Sequence, residues 1–180
     1  PNGLHCAVGF TDKLRIYHIL LDDLRLCLEV PIKTCRECHF SKGGNMIAAV
    51  NGNTICVYDF HTGERISDLR GHNSKCRGLE WLESGNLLSS GQDGAVYLWD
   101  VEGARRLAEF VQKGSVFTDV ALGVDSCFVV GNDRSLRELA IADLAPARAS
   151  DTGTLMGHVA ISVTKQVIFV GSSDQYKPGT

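Results

Sequence analysis

The sequence lacks the long apolar runs and the charge imbalance that mark membrane and nucleic-acid-binding proteins. No run of consecutive apolar residues approaches the roughly 18 that a transmembrane helix needs. The 18 Lys and Arg nearly balance 21 Asp and Glu, giving a formal net charge of −3. We therefore expect no bulk electrostatic binding to nucleic acid or to an anionic membrane surface. The sequence begins with Pro1, and residues 1–5 do not resemble a signal peptide, so either a signal was removed or this is an internal piece of a longer chain.

A disulfide framework is also missing. The seven cysteines are an odd number, and no Asn-x-Ser/Thr glycosylation site accompanies them. Small secreted domains held by disulfides are usually shorter and much richer in cysteine. The sequence therefore predicts unpaired thiols in a reducing, intracellular compartment.

Catalytic signatures are absent as well. The chain has no G-x-S-x-G nucleophile elbow, no G-x-x-x-x-G-K-[ST] phosphate loop and no H-E-x-x-H zinc motif. The six histidines include no pair spaced four residues apart. Asp22, Asp23 and Glu37 fit a turn and a solvated strand face better than an acid/base pair. We predict no catalytic, cofactor-binding or metal-binding residue, and hence no enzyme.

What the sequence does contain is an internal repeat of about 41 residues. Four independent series of similar residues recur at this spacing. One series has steps of 41, 41 and 40 residues and comprises Tyr17, Tyr58, Trp99 and Leu139. The others are Gly9, Val50, Gly91, Gly131 and Gly171; Phe40, Trp81 and Leu122; and Leu28, Leu69 and Phe110. Chance would not align four series, so the chain is a tandem array.

Each unit is predicted to hold four short strands, and the unit after residue 75 shows them best. The strands are expected at 75–82, 86–90, 95–99 and 105–110. The sequence Gly91-Gln92-Asp93-Gly94 supplies a tight turn between the second and third strands, because Gly and Asp tolerate positive φ. Four-stranded units of roughly 40–45 residues are typical of WD40 β-propeller blades. We therefore predict an all-β propeller fold.

The predicted blades divide the chain into about 4.4 units of about 41 residues. They are a part blade at 1–31, blades at 34–70 and 75–112, a degenerate blade at 115–156 and a part blade at 157–180. An incomplete ring exposes strand edges. This division again suggests that the sequence is a fragment.

Residues 35–39 read C-R-E-C-H, the attachment signature of a c-type haem. In the repeat register this string falls on the first strand of a blade. Residues three apart on a strand point to opposite faces, so the thiols of Cys35 and Cys38 would diverge. No second C-x-x-C motif completes a zinc site. A packing role is favoured, and a redox or haem protein using Cys35, Cys38 and His39 is the weaker alternative.

The segment 136–149 is rich in Ala, Leu and Arg and could pass for an amphipathic helix. The repeat register instead makes its start a third strand, and Pro146 limits any helix beyond that point. We predict a strand followed by an irregular loop.

The unit at 75–112 resembles the WD-repeat family in its motifs. Gly71-His72 precedes its first strand and Trp99-Asp100 closes its third, as in the family's GH…WD pattern. The resemblance implies a buried, hydrogen-bonded chain of side chains that stiffens the blade. By position, this chain would consist of His72, Ser89, Asp93 and Trp99.

The neighbouring units depart from the family pattern. The unit at 34–70 ends its third strand in Tyr58-Asp59 but has no preceding Gly-His, and the unit at 115–156 keeps Asp133 but has Leu139-Ala140. The polar network is therefore expected in one blade.

Residues outside the general WD pattern resemble WD-repeat proteins of the ciliary axoneme. They lie at 3–5, 9–15, 21–23, 37–41, 48–53 and 93–97. The resemblance implies a non-enzymatic scaffold of cilia or flagella that has protein partners, among them inner-arm dynein and doublet-microtubule components, and a coiled coil elsewhere in the protein. It implies no cofactor, nucleic acid or membrane partner. A different cytoplasmic WD40 adaptor, in signalling or protein turnover, is the alternative.

Overall fold

The computed structural model describes residues 2–162 and 168–172, in which 17 β-strands form five antiparallel sheets and no helix occurs. The first sheet contains β1 (His5–Gly9), β2 (Lys13–Ile19) and β3 (Leu24–Pro31). The second contains β4 (Cys38–Phe40), β5 (Met46–Asn51), β6 (Thr54–Asp59) and β7 (Arg65–Arg70). The third contains β8 (Cys76–Trp81), β9 (Leu87–Gly91), β10 (Ala95–Asp100) and β11 (Arg105–Val111). The fourth contains β12 (Phe117–Leu122), β13 (Ser126–Gly131), β14 (Ser135–Ala140) and β15 (Pro146–Asp151), and the fifth contains β16 (Met156–Ile161) and β17 (Ile168–Ser172).

Strand order within each sheet follows chain order, so each sheet is an up-and-down meander. The all-β fold with four-stranded blades is thereby confirmed. In the third sheet, every strand begins and ends within one residue of its predicted bounds. Gly94 has a φ of 72°, and a Cβ there would collide with the Gln112 carbonyl oxygen. This turn therefore requires glycine for both its backbone conformation and its close packing.

The repeat extends to irregularities of the backbone. In each of the first four sheets, a β-bulge interrupts the pairing between the last two strands, and it lies at the same place in the repeat each time. The bulges fall at Ile16/Tyr17, Val57/Tyr58, Leu98/Trp99 and Glu138/Leu139. In each of the first four sheets the outer strand thus carries one extra residue that has no partner in the neighbouring strand.

The core lies between successive sheets, which stack face to face. Alternate residues of β5 pack in opposite directions: Ile47 and Ala49 against the first sheet, Ala48 and Val50 against the third. The middle strands β5, β6, β9 and β10 are consequently buried on both faces, whereas the outer strands β3, β7, β11 and β15 are mostly exposed. Each buried Val, Leu or Ile contributes about 1.5–3 kcal/mol, so the sheets stabilise one another.

The structure corrects one local prediction. The irregular loop expected after the strand at 136 is short, and the chain enters β15 at Pro146 and pairs with β14. Proline is tolerated there because it is the first residue of an outer strand, where its missing N–H costs little. Residues 163–167 and 173–180 of the predicted last part blade lie outside the described residues. Among the residues described, no helix is long and apolar enough to span a membrane.

Candidate functional site

The structure brings His72, Ser89, Asp93 and Trp99 together in the third sheet. His72 lies in the loop between β7 and β8, Ser89 on β9, Asp93 in the β9–β10 turn and Trp99 on β10. The Nδ1 atom of His72 is 3.1 Å from both carboxylate oxygens of Asp93, and its Nε2 atom is 2.8 Å from Ser89 Oγ. The indole N–H of Trp99 donates to Ser89 Oγ at 2.8 Å. One continuous hydrogen-bonded chain therefore joins the loop, the turn and both middle strands.

The partners fix the direction of each hydrogen bond. A carboxylate can only accept, so His72 Nδ1 carries the proton that it donates to Asp93. In the neutral imidazole, Nε2 is then an acceptor, and the Ser89 hydroxyl donates to it. The Ser89 oxygen remains available to accept the indole N–H of Trp99. Every polar atom along this chain is satisfied, which is the condition for a buried network to rigidify a core.

Close packing surrounds the network. The His72 and Tyr97 rings lie 4.6 Å apart, and Arg106 covers the outer face of Tyr97 at 4.2 Å from the ring centroid. Asp93 also accepts the backbone N–H of Asn73 at 2.7 Å. A Cβ at Gly91 would lie only 2.5 Å from His72 Nδ1, so only glycine admits the imidazole beside β9.

The order Ser89–His72–Asp93 matches the contacts of a hydrolase catalytic triad. A nucleophile, however, must reach its substrate, and Ser89 and His72 are 0% and 3% exposed. The Ser89 oxygen is in addition occupied by the Trp99 N–H. The geometry suits a buried hydrogen-bond network that stabilises the blade rather than a site of acyl transfer.

Acidification is expected to weaken this blade through His72. Burial lowers the His72 pKa below 6.5, despite the opposing effect of the Asp93 carboxylate. Below about pH 6.5 the unfolded chain therefore binds a proton that the folded blade does not, and this favours unfolding. The contribution of neutral His72 to the stability of the folded blade is fully present above the unfolded-state pKa, and it is lost progressively as the pH falls toward the lower pKa of the folded state.

The measurement is the free energy of unfolding of the parent and of His72→Gln between about pH 7 and pH 5. The variant should be less stable at neutral pH but should show a shallower pH dependence. Burial also lowers the pKa of His39, so this residue likewise destabilises the folded chain as the pH falls, and it is unchanged in the variant. The pH dependence of the unfolding free energy should therefore become shallower in the variant but should not disappear. Equal slopes would show that His72 is not the group that is protonated on unfolding.

The C-x-x-C-H string takes a different conformation from the one predicted. Strand β4 begins only at Cys38, and Cys35 lies in the preceding loop. The pKa of Cys35 is raised, first by a hydrogen bond with Cys38 and then by burial, and the same bond lowers the pKa of Cys38. The prediction that the two thiols diverge is therefore wrong. Both thiols pack in the core between the first and second sheets.

Sequence reasoning missed a second cluster, in the first sheet. It predicted no metal-binding residue, but the structure brings potential ligand atoms of His5, His18 and Cys27 within 4.8 Å of one another. Their spacings of 13 and 9 residues match no linear metal motif. The signal was the hairpin register, since the turn after Gly9 pairs His5 with His18 across β1 and β2.

One known family matches the part of the chain that contains the network. Residues 63–100, which contain all four of its side chains, match the family WD domain, G-beta repeat. The chain is a run of WD40 blades. WD40 domains generally bind other proteins, through the loops and edges that their blades present.

Two ciliary relatives match nearly the whole of this WD40 chain. It is 38% identical over 176 residues to cilia- and flagella-associated protein 57 of Mus musculus, a match covering 96% of the chain and 14% of the relative. It is 30% identical over 201 residues to cilia- and flagella-associated protein 57 C of Tetrahymena thermophila, covering 97% of the chain and 15% of the relative. The chain thus spans only about a seventh of the length of these relatives.

A WD40 relative of another kind matches less of the chain. The F-box/WD repeat-containing protein sel-10 of Caenorhabditis elegans is 32% identical over 69 residues, which are 38% of the chain and 12% of that relative.

Proposed function

We propose that the chain is a non-enzymatic, protein-binding part of a ciliary or flagellar scaffold, located in the axoneme. The observation that carries this proposal is the extent of similarity. A match limited to the blade pattern would recur with any WD40 protein, as with sel-10 at 38% of the chain. Similarity to the ciliary relatives instead extends over 96% and 97% of the chain. It therefore includes loops and outer strands, where binding specificity in a repeat fold resides.

The finer role that we propose is the placement of inner dynein arms on the doublet microtubule. The stacked sheets support a scaffold role because their middle strands are buried on both faces and hold the outer loops in fixed positions. The buried network of His72, Ser89, Asp93 and Trp99 would add rigidity to one blade. A rigid support lowers the ordering cost of binding a partner.

The β2–β3 hairpin supports a protein-binding role. Its tip exposes Leu20, Leu21 and Leu24, and Leu21 is fully accessible. Neighbouring exposed leucines are unusual on a surface that contacts only water, and they are common where another protein binds. Under this proposal, an axonemal protein covers this hairpin.

The test uses the full natural chain, tagged in ciliated cells that lack the untagged protein. We expect the protein in detergent-extracted axonemes, and we expect cross-linking to recover inner-arm dynein or doublet components. Leu21→Glu should weaken recovery of the hairpin's partner about tenfold, the effect of roughly 1.4 kcal/mol. Val124→Glu, at a 67% exposed valine in the β12–β13 loop, is the matched control and should behave like the parent.

The alternative is a cytoplasmic WD40 adaptor in signalling or protein turnover, a reading that the similarity to sel-10 favours. A diffuse cytoplasmic pool that co-purifies with a ubiquitin ligase or a signalling complex, and is absent from axonemes, would support the adaptor and refute the ciliary scaffold.

A further inference from the structure

Three side chains that can bind metal converge on one face of the first sheet. His5 on β1 and His18 on β2 are directly opposite each other, and His5 Nε2 lies 3.0 Å from His18 Nδ1. Cys27 is the extra residue of the β-bulge in β3, between the pairs Ile16–Leu28 and Tyr17–Leu26. The ligand atoms of the three residues all lie within 4.8 Å of one another. Two imidazoles and a thiol therefore meet from three adjacent strands.

At these positions the first sheet has metal-binding side chains where the equivalent positions of the second sheet have a different pair. In the second sheet the pair equivalent to His5 and His18 is Met46 and Asp59. There the Asp59 carboxylate accepts the backbone N–H groups of His61 and Thr62 and closes the β6–β7 turn. His18 contacts His5 instead, so the first sheet has exchanged a turn-closing carboxylate for a second imidazole.

The bulge position departs in the same way. The extra residues of the other bulges are Ile66 in β7, Leu107 in β11 and Ala147 in β15, all apolar. In the first sheet this residue is Cys27, the one ligating side chain of the four. The structural repeat therefore does not account for any of the three residues, whereas a shared ligand does.

We infer that His5, His18 and Cys27 form a zinc-binding site on the first sheet. Zinc favours tetrahedral coordination by imidazole and thiolate, with Zn–N distances of about 2.0–2.1 Å and Zn–S of about 2.3 Å. Two nitrogens bound in this way lie about 3.3 Å apart, close to the 3.0 Å between the two imidazoles. Three protein ligands leave a fourth position for water or an incoming group.

The surroundings position these three side chains for a shared ligand. His5 and His18 contact each other through their ring nitrogens, so both imidazoles already point toward a common position. Cys27 is exposed, and its thiol makes a long 3.5 Å contact with the Arg25 carbonyl oxygen. Phe60 packs edge-on against His5 at 4.8 Å between ring centroids and holds that ring in place.

The test is cobalt substitution in the purified full-length protein. Co²⁺ replaces zinc in such sites, and a thiolate ligand gives a charge-transfer band in the near ultraviolet. We compare the parent, Cys27→Ser and His18→Gln with the control Cys6→Ser. Cys6 is adjacent to His5 on β1 and points to the opposite face of the sheet.

The parent and Cys6→Ser should show the charge-transfer band. Each should also bind one more zinc ion per chain than Cys27→Ser does. Zinc affinity should fall more than about 100-fold in Cys27→Ser and His18→Gln, since even second-shell changes cost 10–100-fold. Circular dichroism should be the same for all four proteins, because Cys27 and His18 are not core residues. The inference is overturned if the parent shows no band, if Cys27→Ser keeps it, or if Cys6→Ser loses it.

Discussion

Replacing Trp99 by alanine is expected to lower the free energy of unfolding by about 3–5 kcal/mol. The indole is 2% exposed and lies in the core between the second and third sheets. It packs edge-on against Tyr97, with 5.4 Å between ring centroids. Its far edge abuts Gly71, where a Cβ would lie 2.9 Å from the ring. Alanine would leave a large cavity, and rigid strands on both sides would prevent its collapse.

Trp99→Phe separates the hydrogen bond of the indole from its volume. Phenylalanine keeps most of the buried apolar surface but removes the N–H that Ser89 Oγ accepts. We expect a loss of about 1–3 kcal/mol, below that of alanine. Denaturant titrations of the full-length protein, followed by far-ultraviolet circular dichroism, give both values. A loss below about 1 kcal/mol for alanine would contradict the packing described here.

Much of this fold was accessible from the sequence because the repeat is carried by local features. Apolar residues recurring every 41 positions fixed the strands of the third sheet to within one residue. The turn at Gly91–Gly94 could be placed because its glycines are required locally, by φ at Gly94 and by the contact with His72 at Gly91. Such constraints act within one unit and are visible in one stretch of sequence.

What the sequence did not reveal depends on the register between strands. The thiols of Cys35 and Cys38 pack in the same core because β4 begins only at Cys38, so Cys35 lies in the loop before it. The His5, His18 and Cys27 cluster needs both a hairpin pairing and a bulge in the third strand of its sheet. A bulge moves a side chain from one face to the other, so alternation along the strand cannot place Cys27.

The two adjacent serines of β9 are expected to respond differently to replacement by alanine. Ser89 and Ser90 are both 0% exposed, and they point to opposite faces of the third sheet. Ser89 Oγ bonds both His72 Nε2 and Trp99 Nε1, whereas Ser90 Oγ has no hydrogen-bond partner among the described residues. Ser89→Ala should cost about 2–4 kcal/mol, because it leaves two buried polar groups unsatisfied.

Ser90→Ala should leave stability unchanged or raise it by up to about 1 kcal/mol, because it removes a buried hydroxyl that nothing compensates. The two variants have the same composition and lose the same atom, so the hydrogen-bond network accounts for the difference between them. Paired denaturant titrations with equal m-values would measure it. Equal effects of the two substitutions would mean that the network contributes nothing beyond burial.

The double variant Ser89→Ala/Trp99→Phe then tests whether the network acts as a unit. If Ser89 and Trp99 act through their shared hydrogen bond, the double variant should be more stable than the sum of the single losses predicts, by about 0.5–3 kcal/mol. This follows because removing the indole N–H also removes the donor that Ser89→Ala leaves unsatisfied. Strictly additive losses would show two independent packing effects, and the chain from Trp99 to Asp93 would then be a set of separate contacts.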